Sequence, residues 1–318
     1  MPKVHRLYMH WKLLIYLTVL CSTLVQLYAG DACASDDSSS GVLKLRADII
    51  AAAENPDQAS ESKRLAHVMQ TYALAGIRSR LKQDAQKLSP TDARALFEAA
   101  NAASFYTDDA GIANDQVKLL KVLEGKRLMQ PSDIVNTYGA LVAARDFNAA
   151  QAFFHHYSYA LPRRPPKLIP LKGREAGMAS ELVVNTDGAV LKESMARLEP
   201  TTILVVGDPL CAYTQQAADD ISRSSPLREL MRDYSKWIAP PSRQPDFSVY
   251  AQWNAHHPDA HFSLVYRRSD WRMINHWETP AFYFFKNGRV VRQVTGWPRG
   301  GRQQELLSAA KAIGLPTD

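Results

Sequence analysis

The hydrophobic period of this chain changes once, and the change falls at a run of prolines. From residue 41 to 157, apolar side chains recur every three or four positions: Leu65, Val68, Met69 and Tyr72 mark one face, and Ile134, Val135, Tyr138, Leu141 and Val142 another. Beyond residue 178 they gather instead into short continuous runs. Residues 201–206, Thr-Thr-Ile-Leu-Val-Val, read as a strand covered on both faces. Pro162, Pro165, Pro166 and Pro170, interleaved with Arg163, Arg164 and Lys167, separate the two regimes and forbid a continuous helix between them. The pattern therefore predicts an all-α domain over 41–158, a stiff basic linker over 159–178 and an α/β domain over 179–318, with the linker as the boundary.

Within the first region two helix starts are marked. Ser89-Pro90-Thr91-Asp92 offers an N-cap serine, a proline at the first helical position and an acid in the first turn, and Gln130-Pro131-Ser132-Asp133 repeats the proline and the acid. The stretch from Tyr138 to Phe154, with Arg145-Asp146-Phe147 at the turn and Ala150 between the rings, resembles the second half of a tetratricopeptide repeat. One unit of resemblance is equally compatible with repeat-like helical pairs and with a plain bundle.

In the second region the expected elements are a strand at residues 181–184 closed by Asn185-Thr186-Asp187-Gly188, the strand at 201–206, and a helix from 211 to 222. A hairpin at 281–294 turning on Asn287-Gly288 and a closing helix at 302–312 follow. This order fits a mixed sheet flanked by helices.

Lys3, Arg6 and Lys12 precede an apolar run from Leu13 to Leu27, and Ala32-Cys33-Ala34 supplies a small-residue cut site, so residues 1–34 read as a secretory signal peptide. Localisation in the periplasm is the expectation, with membrane attachment only through an uncleaved signal. Loss of the leader takes away three basic residues and Asp31, and leaves the formal charge of +6 mildly positive. The basic residues are scattered rather than set on one face among aromatics, so no nucleic acid partner is expected. Three cysteines, Cys21 in the leader, Cys33 at its end and Cys211, exclude a disulfide framework. The histidines of His256-His257-Pro258-Asp259-Ala260-His261 lack a recognised ligand spacing, and no phosphate-binding glycine loop is present, so neither metal nor cofactor is expected.

Two segments carry a family resemblance. Val205-Val206-Gly207-Asp208-Pro209-Leu210-Cys211-Ala212-Tyr213-Thr214 resembles the strand, Asp-Pro and Cys-x-Tyr-Cys motif of the Dsb-type periplasmic disulfide isomerases, within the thioredoxin-like superfamily. Here Thr214 stands in place of the second cysteine. Glu278-Thr279-Pro280-Ala281-Phe282, with the hairpin behind it, resembles the cis-proline strand of that superfamily. The resemblance implies a thioredoxin-like C-terminal domain with Cys211 as nucleophile, Thr214 beside it, and a cis Pro280 that exposes the Thr279 backbone to an extended substrate. It does not extend to the helical half, so the dimerisation of those isomerases is not carried over.

The residues support Cys211 independently. A cysteine between a strand and a helix start meets unpaired amides that favour the thiolate, whereas a free cysteine serving only as a small buried hydrophobe would be inert. Without a second cysteine, Cys-x-x-Thr cannot resolve its own mixed disulfide. Two functions follow as expectations. One is monothiol thiol-disulfide exchange on protein substrates, isomerase-like or completed by a small thiol or redox partner. The other is a non-catalytic adaptor binding partner proteins of the cell envelope, as in a secretion or conjugation assembly.

Overall fold

The computed structural model describes residues 37–55, 60–173 and 178–317. The signal peptide expected at 1–34, with Cys21 and Cys33, lies outside the described residues. Residues up to Tyr157 are helical where described: α1 (Asp37–Glu54), α2 (Glu61–Leu74), α3 (Ile77–Asp84), α4 (Pro90–Thr107), α5 (Ala110–Gly125), α6 (Pro131–Ala143) and α7 (Phe147–Tyr157). Both marked starts sit where cap chemistry requires. The Ser89 hydroxyl accepts the Asp92 N–H at 3.0 Å, and Asp133 Oδ2 accepts the Gln130 N–H at 2.8 Å, each satisfying a donor the helix cannot pair itself. Consecutive helices pack on one another, α4 on α5, α5 on α6 and α6 on α7.

A mixed eight-stranded sheet follows: β1 (Lys167–Ile169), β2 (Ser180–Val184), β3 (Val190–Met195), β4 (Thr202–Val206), β5 (Ser235–Ala239), β6 (Phe262–Val265), β7 (Ala281–Lys286) and β8 (Arg289–Thr295). Their order is β1-β3-β2-β6-β5-β4-β7-β8. β4 pairs parallel with β5 and antiparallel with β7, and β7 pairs antiparallel with β8. Helices α8 (Ala212–Arg223) and α9 (Ser225–Tyr234) connect β4 to β5, α10 (Phe247–His256) precedes β6, and α11 (Gln303–Ile313) closes the chain. The β7–β8 turn has positive φ at both Asn287 and Gly288, the hand that matches strand twist, which is why Asn-Gly serves there.

β4 is buried throughout, and β7 through Phe285, so side chains alternate between two apolar clusters. Leu204, Val206, Tyr283 and Phe285 join Trp271 on one side. Ile203, Val205, Phe282 and Phe284 belong to the other cluster, which continues through Phe247 and Phe147 into the helices as far as Leu96 and Ile49. Residues Ser40–Asp318 accordingly form one compact unit. The proline-rich segment connects the helical part to the sheet inside that unit, and its residues Lys167–Ile169 add β1 to β3 as an edge strand.

Polar bonds cross the same junction. Arg145 donates from Nε and Nη2 to the Val265 carbonyl at 3.2 and 2.9 Å. Arg268 donates from Nε to Asp108 Oδ2 at 2.6 Å and from Nη1 to Glu61 Oε1 at 3.0 Å. At Gly139, a Cβ would stand 2.7 Å from the Arg243 carbonyl, so only glycine lets the loop after β5 lie on α6.

Candidate active site

The turn after β4 is shaped by what surrounds it. A Cβ at Gly207 would lie 2.9 Å from Phe262 Cζ and 3.0 Å from Thr214 Cγ2, so the absence of a side chain lets the strand end close over the next helix. The Asp208 carboxylate then accepts the Leu210 N–H at 2.8 Å, and the Asp208 carbonyl accepts the Cys211 N–H at 2.9 Å. These two bonds set Cys211 as the N-cap of α8, so that the helix itself begins at Ala212, one position after the start that the sequence pattern suggests. Its extended backbone and its carbonyl, which accepts the Gln215 N–H at 3.0 Å, open the helix.

The four residues expected at the site come together. The Thr279–Pro280 bond is cis, and the Cys211 thiol donates to the Thr279 carbonyl at 3.4 Å. Thr214 is fully buried one turn into α8, where its hydroxyl accepts the Asp208 N–H at 3.4 Å. Cys211 is half-buried, while Leu210 and Tyr213 on either side are 46% and 61% exposed. The half-buried sulfur is therefore neighboured along the chain by two exposed apolar side chains.

Opposing effects act on the thiol. Burial raises its pKa. Hydrogen bonds from the Thr279 and Thr214 side chains and from the Thr214 and Tyr213 amides favour the thiolate, and the net direction is down from the ordinary value. The Thr279 carbonyl contact suits the protonated thiol, whereas the hydroxyls and amides are free to serve the thiolate. Asp208, three residues away, moves in the opposite direction. Burial raises its pKa despite hydrogen bonds from the Leu210 amide and the Tyr250 hydroxyl.

Tyr250, from α10, carries no signal in the sequence that would pair it with Asp208. The same holds for the wall of a cavity of about 810 Å³ beside the site, where Asp208 and Thr279 face Phe105, Val135 and Asn136 of the helical part. The histidines at 256 and 257 stand elsewhere. His257 stacks on Trp253 with centroids 3.9 Å apart, and His256 Nδ1 lies 2.7 Å from the Gln252 carbonyl. Among the described residues, no three His, Cys, Asp or Glu side chains are grouped as a metal ion would require, and no helix is long and apolar enough to cross a membrane.

No family model matches the chain, and no curated protein matches it either. Among solved structures, the crystal structure of a thioredoxin-like protein from Bacteroides caccae ATCC 43185 at 1.90 Å resolution aligns over 91% of this chain and 99% of its own. The TM-score is 0.31 and the identity 10%, a likeness that by itself carries no argument.

Proposed function

We propose that the chain is a periplasmic protein with a thioredoxin-like domain that performs thiol-disulfide exchange through Cys211 alone. The observation that carries this reading is the meeting of the Cys211 sulfur, at the N-cap of α8, with Thr279 beside cis Pro280, 68 residues further along the chain. The connectivity supports the fold: β4, helices, β5, then the antiparallel β7–β8 hairpin and a final helix, in sheet order β5-β4-β7-β8, is the order of a thioredoxin-like domain.

In the proposed reaction the Cys211 thiolate attacks one sulfur of a substrate disulfide. A Cys211–substrate disulfide forms, and the second substrate sulfur leaves as a thiolate with the bonding electron pair. Thr214 has no sulfur to reverse this step. Release comes from another thiolate of the same substrate, which makes the cycle an isomerisation without net redox change. A small external thiol can take the same part and then stays on the substrate as a mixed disulfide, from which a second such thiol displaces the substrate thiolate and leaves as the small-molecule disulfide, so that two thiols are oxidised as one substrate disulfide is reduced. The Thr214 hydroxyl and the helix amides stabilise the anion that departs when Cys211 is regenerated.

The test is recovery of activity from scrambled-disulfide ribonuclease by the purified chain in the presence of a small thiol. Turnover that disappears in Cys211→Ser supports the exchange reading. Equal recovery by parent and variant contradicts it and leaves the envelope adaptor, in which both parts of the chain serve only to bind. Export is tested separately by fractionating cells that express the full chain.

A further inference from the structure

The cavity beside the Cys211 turn is lined on one side by the helical part and on the other by the loops that follow β4 and β5 and lead into β7, and among the latter is Thr279, whose carbonyl accepts from the Cys211 thiol. Asp208 and Thr279, both in hydrogen-bonded contact with the Cys211 turn, line it at one end. At the other, the cavity meets a second one, also of about 810 Å³, and the two share Glu61, Leu65, Asp108, Arg268 and Trp277. Together they form a trough longer than a small thiol would fill, which favours a polypeptide occupant.

Its charge is set by what each side chain already holds. Arg268 is engaged by both Asp108 and Glu61, so these three groups largely answer one another. Asp208 is held by the Leu210 amide and the Tyr250 hydroxyl. Arg243 differs, because its partners are neutral oxygens. Nη2 donates to Asn101 Oδ1 at 2.7 Å and to the Asn136 carbonyl, and Nη1 donates to the Asn101 carbonyl at 3.5 Å. Nε–H and one Nη1 hydrogen have no acceptor among the described residues, and no carboxylate touches the guanidinium. Burial pushes the Arg243 pKa down to about 10 while the Asp108 carboxylate, near but not hydrogen-bonded to it, acts the other way, so the group carries its charge at neutral pH. The guanidinium lies 6.0 Å from the centroid of the Phe105 ring, a ring 58% exposed on the cavity wall.

We propose that this trough binds an acidic stretch of the substrate polypeptide, with Arg243 accepting its carboxylate and Phe105 an adjacent apolar side chain, so that the substrate sulfur is presented to Cys211. The proposal rests on the exchange reading above and names the substrate class for it. A fixed guanidinium with free donors is suited to a carboxylate, and its attachment to α4 and α6 through neutral oxygens holds it in place without neutralising it.

The test uses the full chain and two synthetic peptides. Each has a single cysteine blocked as a mixed disulfide with thionitrobenzoate, flanked by glutamates in one peptide and by glutamines in the other. Attack by Cys211 forms the Cys211–peptide disulfide and releases the coloured thionitrobenzoate anion, which takes the electron pair of the broken bond. The glutamate peptide is expected to react about tenfold faster at low salt, with the ratio shrinking as salt is raised. Arg243→Gln is expected to bring the ratio to about one, and Arg243→Lys to retain part of it. A ratio near one in the parent overturns the proposal, as does an unchanged ratio in Arg243→Gln. Should that variant not fold, an acidic preference in the parent that salt does not reduce overturns it. Iodoacetamide, small and neutral, separates the two failures. Labelling of Cys211 without any acidic preference removes the trough alone, whereas failure to label Cys211 removes the exchange reading with it.

Discussion

Cys211 and Asp108 are both acids held by well-placed donors, yet their surroundings push them in opposite directions. Around Asp108 a guanidinium donates at 2.6 Å, with Arg145 and Arg243 nearby, and burial still dominates, so the carboxyl is raised above its ordinary range. Around Cys211 no cation is in contact among the described residues. Burial is shallower, and two hydroxyls and two amides bring the thiol below its ordinary value. The difference teaches that a full charge opposite an acid does not by itself produce a reactive anion. The Glu61–Arg268–Asp108 group joins the helical part to the residues after β6, while the dipoles at the start of α8 favour the thiolate.

The most forceful way to break this comparison is Arg268→Met. It leaves Asp108 and Glu61 buried without their partner, and a loss of about 3–5 kcal/mol is expected in a urea titration. The pH profile of Cys211 alkylation should stay where it is, because none of the donors on the sulfur is touched. A displaced profile would mean that the two regions are electrostatically one.

A smaller effect sharpens the other side. Thr214→Val keeps the shape of a fully buried side chain but removes the hydroxyl that accepts the Asp208 N–H and favours the thiolate. A stability loss of about 1–2 kcal/mol is expected. With one donor gone, the thiolate is less favoured, so the alkylation profile moves to higher pH. An unmoved profile would assign the lowering to the Thr279 hydroxyl and the amides.

The two regions also differ in how far they could be read before folding. The elements around Cys211 are legible because each rests on local chemistry: the apolar run of β4, the cysteine between a strand and a helix start, the proline just before β7, and the Asn-Gly turn. The caps at Ser89 and Gln130 were legible for the same reason. β3 was not, since Lys192 and Glu193 interrupt its apolar pattern, and β1 lies in the proline-rich stretch that reads as a linker. The trough was invisible as well. It depends on Arg243 reaching Asn101, 142 residues away, and on Arg268 reaching Glu61, 207 residues away. Periodicity says which face of a helix is apolar and nothing about which sheet it will meet. The shared core from Ile49 to Phe284, across a segment that reads as a boundary, follows from the same ignorance.

The central claim is that the structure holds Cys211 as a nucleophile rather than as a packing residue. The most direct measurement is the rate of Cys211 alkylation by iodoacetamide as a function of pH, with Cys211→Ser as the blank for any other thiol. The donors gathered on the sulfur predict a rate that rises through a midpoint below the free-cysteine value of about 8.5. A midpoint at or above that value would show that burial prevails over the hydroxyls and amides, and would contradict the account.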